Sequence, residues 1–214
     1  QNENIYTNLW KGPFYGYINA IQTFNLTEKP KRLKPIGIYY HFFSGTKLES
    51  LKALKDVYNM ALSQKITPLY VSEYIRKVLD FRDMTISQYG DGWIVKGQGY
   101  LRTIRVDREI DIDMNKSKGV VGFQKMDGIT YIHLDGSGNY SLVYEQKGIG
   151  HKAKGIGQNI RLIDANGQVE EFLNKNGEFY LRLKGYIPLE FSFIKPANCQ
   201  VKVEGEEGYS HTTE

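Results

Sequence analysis

A chain of 214 residues with 41% hydrophobic side chains can bury the core of one large domain or two modest ones. Its 28 basic and 24 acidic residues leave a formal charge of +4, too balanced to mark a nucleic-acid surface, and no window approaches the roughly 18 to 20 consecutive apolar residues of a membrane-spanning helix. The single Cys199 excludes an internal disulfide, and within Ala197-Asn198-Cys199-Gln200-Val201 it reads as a small buried strand residue.

The chain opens at Gln1 with a polar stretch that lacks an initiator methionine and a signal peptide, so it reads as a processed or excised piece of a longer protein. Asn8-Leu9-Trp10-Lys11-Gly12-Pro13-Phe14-Tyr15-Gly16 is a loop rich in aromatics and glycine. The dense basic patch Lys29, Lys31, Arg32 and Lys34 is broken by Pro30 and followed by Pro35, which fits a solvated loop better than a phosphate site. Pro35 to Gly45 then reads as a buried strand that delivers His41 to an aromatic rim. Thr46 and Glu49 have the spacing of a capping box, and Leu48, Leu51, Leu54, Tyr58 and Ala61 recur on one face of the helix that follows. Thr67 to Val71 reads as a short strand, and a second helix opening at Ser72-Glu73 carries Tyr74, Ile75, Val78 and Leu79 on its inner side. Strand, helix, strand, helix predicts an α/β arrangement with parallel strands, as in a β/α barrel, where loops after the strands carry the chemistry.

Composition changes near Asp83. Beyond Met84, short apolar runs alternate with Tyr89-Gly90-Asp91-Gly92, Asp127-Gly128, Asp135-Gly136-Ser137-Gly138, Ala165-Asn166-Gly167 and Asn174-Lys175-Asn176-Gly177, which is hairpin punctuation. Asn166-Gly167 and Asn176-Gly177 are expected to supply positive φ angles. The intervening runs, Trp93–Lys96, Leu101–Val106, Val120–Gln124, Thr130–Leu134, Tyr140–Tyr144, Ile160–Ile163, Val169–Phe172, Phe179–Leu183, Leu189–Ile194 and Gln200–Val203, predict an all-β, jelly-roll-like sandwich. The tail after Gly205 is too polar to join a core.

Most motif matches reduce to structural roles. His41, His133, His151 and His211 stand apart, with no H-x-x-x-H or C-x-x-C pair, so no zinc site is made within the chain. Asp111-Ile112-Asp113-Met114-Asn115 begins like a calcium loop but has Lys116 and Gly122 where glycine and glutamate belong. Gly148-Ile149-Gly150-His151-Lys152-Ala153 matches a dinucleotide fingerprint formally, yet more glycine follows where a helix should start. His133, in Tyr131-Ile132-His133-Leu134, reads as a hydrogen-bonded strand histidine, and His211 as an exposed one. His41 has different company, since ten of the 28 aromatic residues fall in the first 43 positions. Flat rings in an open cleft suit the apolar faces of sugars, which makes His41 the candidate catalytic residue and Trp10, Tyr15, Tyr40 and Phe43 the candidate substrate-binding ones.

Asn4-Ile5-Tyr6-Thr7-Asn8-Leu9-Trp10, Ile38-Tyr39-Tyr40-His41-Phe42-Phe43-Ser44, Leu51-Lys52-Ala53-Leu54 and Ser72-Glu73-Tyr74-Ile75 resemble the C-terminal portion of the PelA family, the Pel exopolysaccharide modification enzymes of bacterial biofilms. The resemblance extends into the β half at Gly119-Val120-Val121-Gly122-Phe123 and Ala197-Asn198-Cys199. It implies that residues 1–83 are the closing segment of a NodB-like β/α polysaccharide deacetylase barrel, that 84–205 are a β-sandwich, possibly carbohydrate-binding, and that 206–214 are a flexible tail. It maps His41 onto the histidine that protonates the departing amine, and it implies a divalent metal, usually zinc, for the complete enzyme. The aspartates and the H-x-x-x-H pair of that family's metal site are not in this sequence. The expectation is therefore a fragment that is inactive alone. Its implied partners are an N-acetylhexosamine exopolysaccharide and the remainder of the barrel or a secretion complex, and its implied location is periplasmic or otherwise extracytoplasmic.

Two other classes stay open. A non-catalytic carbohydrate-binding or assembly module would place the function in the β half. A glycoside hydrolase would need a carboxylate pair, and near the His41 region Glu73 is the one acid that catches the eye, though a helix N-terminus explains it more cheaply.

Overall fold

The computed structural model describes residues 3–6, 21, 35–144, 160–175 and 178–205. The chain forms two compact units, Gln1–Ile66 and Thr67–Glu214. It is β-rich with two described α-helices, an α/β unit followed by a predominantly β one. The composition change near Asp83 marks the end of the second helix, whereas the boundary between the units falls one helix earlier.

In the first unit, β1 (Glu3–Tyr6) pairs in parallel with β2 (Ile36–Tyr39), Tyr6 lying opposite Tyr39. A 3-10 turn over Phe42–Thr46 leads to α1 (Leu48–Leu62). The expected capping box does not form. Thr46 is spent closing the 3-10 turn, its Oγ1 donating to the Phe43 carbonyl at 2.8 Å, so α1 starts after Lys47 without a side-chain cap. The buried face is also rotated from the expected one: Ser50, Ala53, Val57 and Ala61 are buried, while Leu48 is 82% exposed and Tyr58 is turned outward.

The second unit opens with α2 (Val71–Asp83). Residues 67–70 form no strand, contrary to the reading of Thr67 to Val71. Pro68 has no N–H for a ladder, Tyr70 is the N-cap, and Val71 is already helical. The Glu73 carboxylate accepts the Tyr70 N–H at 2.9 Å, one half of a capping box. The strands then follow as β3 (Thr85–Tyr89), β4 (Gly92–Lys96), β5 (Thr103–Val106), β6 (Val120–Met126), β7 (Ile129–Leu134), β8 (Asn139–Val143), β9 (Arg161–Ala165), β10 (Gln168–Lys175), β11 (Glu178–Lys184) and β12 (Phe191–Ile194). They make a three-stranded sheet β3-β4-β8, a five-stranded sheet β12-β9-β6-β7-β5 and the hairpin β10-β11. Nine of these strands coincide with predicted runs. β3 carries little sequence signal, because Thr-Ile-Ser-Gln-Tyr offers little apolar alternation, and all five of its residues are exposed. Gln200–Val203 is not a strand, and Cys199 is half-buried just after a turn rather than within a ladder.

Turn chemistry fixes the hairpins. Asp127 and Gly128 both take positive φ, +54° and +77°, the conformation that a two-residue loop between right-twisted strands requires. Gly167 does not, contrary to expectation. A Cβ there would stand 2.5 Å from Leu189 Cδ2, and Asn166 instead exchanges hydrogen bonds with Glu190 and Pro188. Asn176-Gly177 lies outside the described residues.

Both sheets contribute to one core of Val95, Ile110, Ile112, Phe123, Ile132, Leu134, Tyr140 and Leu142. Val121, Leu162 and Val169 form a second cluster with Phe172, Leu181 and Leu183 of the hairpin. β6 serves both clusters because a bulge between Val120 and Gly122 breaks its alternation. At the bulge, Gly122 meets Leu162 of β9 so closely that a Cβ would lie 1.8 Å from the Leu162 carbonyl oxygen.

Asp80 ties α2 to this unit. Fully buried, it accepts the N–H groups of Gln98 (2.6 Å), Tyr100 (2.7 Å) and Leu101 (2.9 Å), while Lys77 donates to the Tyr100 carbonyl at 2.8 Å. Asp80→Ala would strand three donors and is expected to destabilise the protein by about 3 kcal/mol or more, with Asp80→Asn losing less because one oxygen remains; urea titration followed by circular dichroism measures both. Gly122→Ala is expected to lose roughly 2–4 kcal/mol by forcing β9 away from β6, and an unchanged denaturation midpoint would refute the tight approach.

Candidate functional site

The first unit places three of the predicted site residues side by side. β2 ends at Tyr39, and two residues on His41 is extended, with φ −87° and ψ 144°, as it caps the 3-10 turn. That turn folds Phe43 back under the histidine, so the two rings stack at 4.7 Å with 7° between planes. Phe42 projects outward, 91% exposed, with its ring edge-on to Phe43 at 5.9 Å. Tyr40 meets Tyr58 of α1 edge-to-face at 6.4 Å. Burial first, and then the neighbouring Tyr40, raise the pKa of the Tyr58 hydroxyl, which keeps it a proton donor. Trp10 and Tyr15 lie outside the described residues.

The result is a histidine at a strand end, held flat on one ring and bordered by exposed apolar rings. Stacking on Phe43 fixes the plane of the imidazole. Tyr58 belongs to this group, although its helical spacing made it a core residue in the sequence. The signal was ambiguous because a tyrosine satisfies an apolar stripe and an open rim equally well.

The remaining candidates resolve into structural roles. Among the described residues no three His, Cys, Asp or Glu side chains converge as a metal site, so the zinc that the resemblance implies would need donors from beyond them. In the calcium-like loop, Asp111 pairs with Lys125 at 2.5 Å, and Asp113 Oδ1 accepts the N–H groups of Asn115 and Lys116. Glu73 accepts the Tyr70 N–H and the Tyr186 hydroxyl, which in that order hold its pKa below the usual carboxylate range. His133 shares a hydrogen bond of 2.6 Å between Nε2 and the Ile163 carbonyl, as a strand histidine should. His151, His211 and the glycine-rich run 148–153 lie outside the described residues.

Comparison with family models, with curated proteins and with solved structures finds no significant match to this chain. No helix among the described residues is long and apolar enough to cross a membrane.

Burial pushes the His133 pKa below its ordinary value, against the weaker opposing effects of the Ile163 carbonyl and Asp164. The unfolded chain therefore binds the proton more readily than the folded one. The stability held at neutral pH falls as pH drops through about 6.5 toward the lowered folded-state pKa. His133→Gln is expected to flatten the stability profile between about pH 7 and 5, read from denaturation midpoints across that range.

Proposed function

We propose that this chain is part of a metal-dependent polysaccharide N-deacetylase that acts on an N-acetylhexosamine exopolysaccharide outside the cytoplasm. In this reading residues 1–83 close a NodB-like β/α barrel whose metal donors come from another segment or a partner, and 84–205 form a jelly-roll-like sandwich. The observation that carries it is the position of His41, immediately beyond the end of a parallel strand and stacked on Phe43 among exposed rings.

The chemistry asks one thing of His41. An amide nitrogen is a poor leaving group as an anion, so the carbon–nitrogen bond breaks only as the nitrogen takes up a proton. An imidazolium whose plane is fixed by stacking can present that proton along one direction. Tyr40, Phe42 and Phe43 would meet the apolar face of the sugar ring, and Trp10 and Tyr15 are assigned the same role from sequence. The bound metal would supply polarisation of the acetamide and activation of water.

The test is acetate release from an N-acetylated hexosamine polymer by the full-length gene product. His41→Ala is expected to lower release by about a hundredfold or more with the metal content unchanged. Unchanged release would remove His41 from the mechanism.

A further inference from the structure

A second group of aromatic side chains is built with more care than its exposure demands. Tyr70, the N-cap of α2, is 64% exposed, and Tyr186, in the loop after β11, is 41% exposed. Their rings meet edge-to-face at 4.7 Å and 72°. Glu73 locks the pair from behind: Oε1 accepts the Tyr186 hydroxyl at 2.8 Å and Oε2 accepts the Tyr70 N–H at 2.9 Å. Lys184 places Nζ 5.9 Å from the centroid of the Tyr186 ring. Two chain segments 113 residues apart are thus joined at the surface by aromatic rings, a carboxylate and an amine.

We propose that Tyr70, Glu73, Lys184 and Tyr186 form a surface subsite for an uncharged N-acetylhexosamine unit of a polysaccharide. A pyranose has an apolar C–H face and a rim of hydroxyls, so it needs a flat ring with donors and acceptors beside it. Tyr70 is the stacking ring, being the more exposed and the one without a lysine over it. Glu73 keeps free lone pairs for sugar hydroxyls, and Lys184 donates. Because Glu73 holds the Tyr186 hydroxyl and the Tyr70 backbone, and the two rings brace each other edge-to-face, little side-chain freedom remains to be lost on binding.

Charge selects the form of the sugar. Glu73 is accompanied by Lys184 and Lys77, both close enough to lower its pKa, and Glu170, whose charge also reaches Tyr186, is paired with Arg182 at 3.3 Å, so the patch has no excess of negative charge to attract a deacetylated, cationic unit. The subsite therefore holds acetylated stretches of polymer. Only the choice of sugar rests on the deacetylase reading; the platform itself does not involve His41.

The experiment is titration of the 214-residue chain with the N-acetylated β-1,4-glucosamine tetrasaccharide and with its fully deacetylated counterpart, followed by calorimetry and by tyrosine ring NMR signals. The acetylated probe is expected to bind more tightly, with little salt dependence. Tyr70→Ala should weaken it about fivefold, and Tyr70→Trp should preserve or improve it, a rescue that a merely structural tyrosine would not show. Binding that ignores both Tyr70 variants, a preference for the deacetylated probe, or no binding of either would overturn the proposal. Acetate release plays no part in this measurement. A silent His41 with Tyr70-dependent binding would fell the deacetylase reading alone, and acetate release without such binding would fell the subsite alone.

Discussion

A carboxylate removed from water has to be satisfied by the protein, and Asp80 is satisfied by three backbone N–H groups from one short loop. The loop is shaped around the carboxylate. A Cβ at Gly97 would stand 2.6 Å from Asp80 Oδ1, and Gly99 takes a φ of +83° that only glycine adopts without strain. The donors belong to residues that lead directly into β5, so the same contact that anchors the helix also sets the start of an edge strand of the five-stranded sheet. Next in the chain, Arg102 extends the anchorage by donating to the carbonyls of Asp135 and Val169, which links the β7–β8 connection and β10 to the same point.

This constraint explains why α2 presents the face it does. With Asp80 turned inward, Tyr74 and Lys77, six and three residues before it, lie on the same side and are half-buried. Ile75, Val78 and Leu79 are turned out, against the preference of their side chains. Three charge-assisted hydrogen bonds outweigh the exposure of a few aliphatic groups, because each unmade bond to a buried carboxylate costs more than a half-exposed methyl does. The first turn of the same helix is fixed independently by Glu73, so α2 is held at both ends by carboxylates, one buried and one at the surface.

Strand positions were legible in the sequence wherever turns announced them. Asp127-Gly128 and Gly90 do in the structure what their residue types require. The faces of both helices were not legible, since apolar periodicity names a stripe and tertiary hydrogen bonding decides which way it points. Val57 lies beside Tyr58 in sequence, and only one of the two could face inward. Asp80 carried no readable signal, because its partners lie 18 to 21 residues ahead and use backbone atoms that every residue has. Gly167 misled for a related reason: glycine marks either a positive φ or a close approach, and here the approach of Leu189 is what required it. At the candidate site, His41 and its aromatic neighbours could be read as a cluster from their adjacency in the chain. Tyr70 and Tyr186 could not, since nothing in the sequence joins residues so far apart.

The two aromatic groups differ in how they are held, and that difference bears on what each can do. Around His41 the rings hold one another by stacking, which fixes their planes. Around Glu73 one carboxylate holds the Tyr186 hydroxyl and the Tyr70 backbone N–H, and its pKa is lowered by those same bonds, so the charge that organises the pair is spent on organising it. A lowered pKa keeps the charge of Glu73 constant around neutral pH, so the contact that it organises does not titrate there.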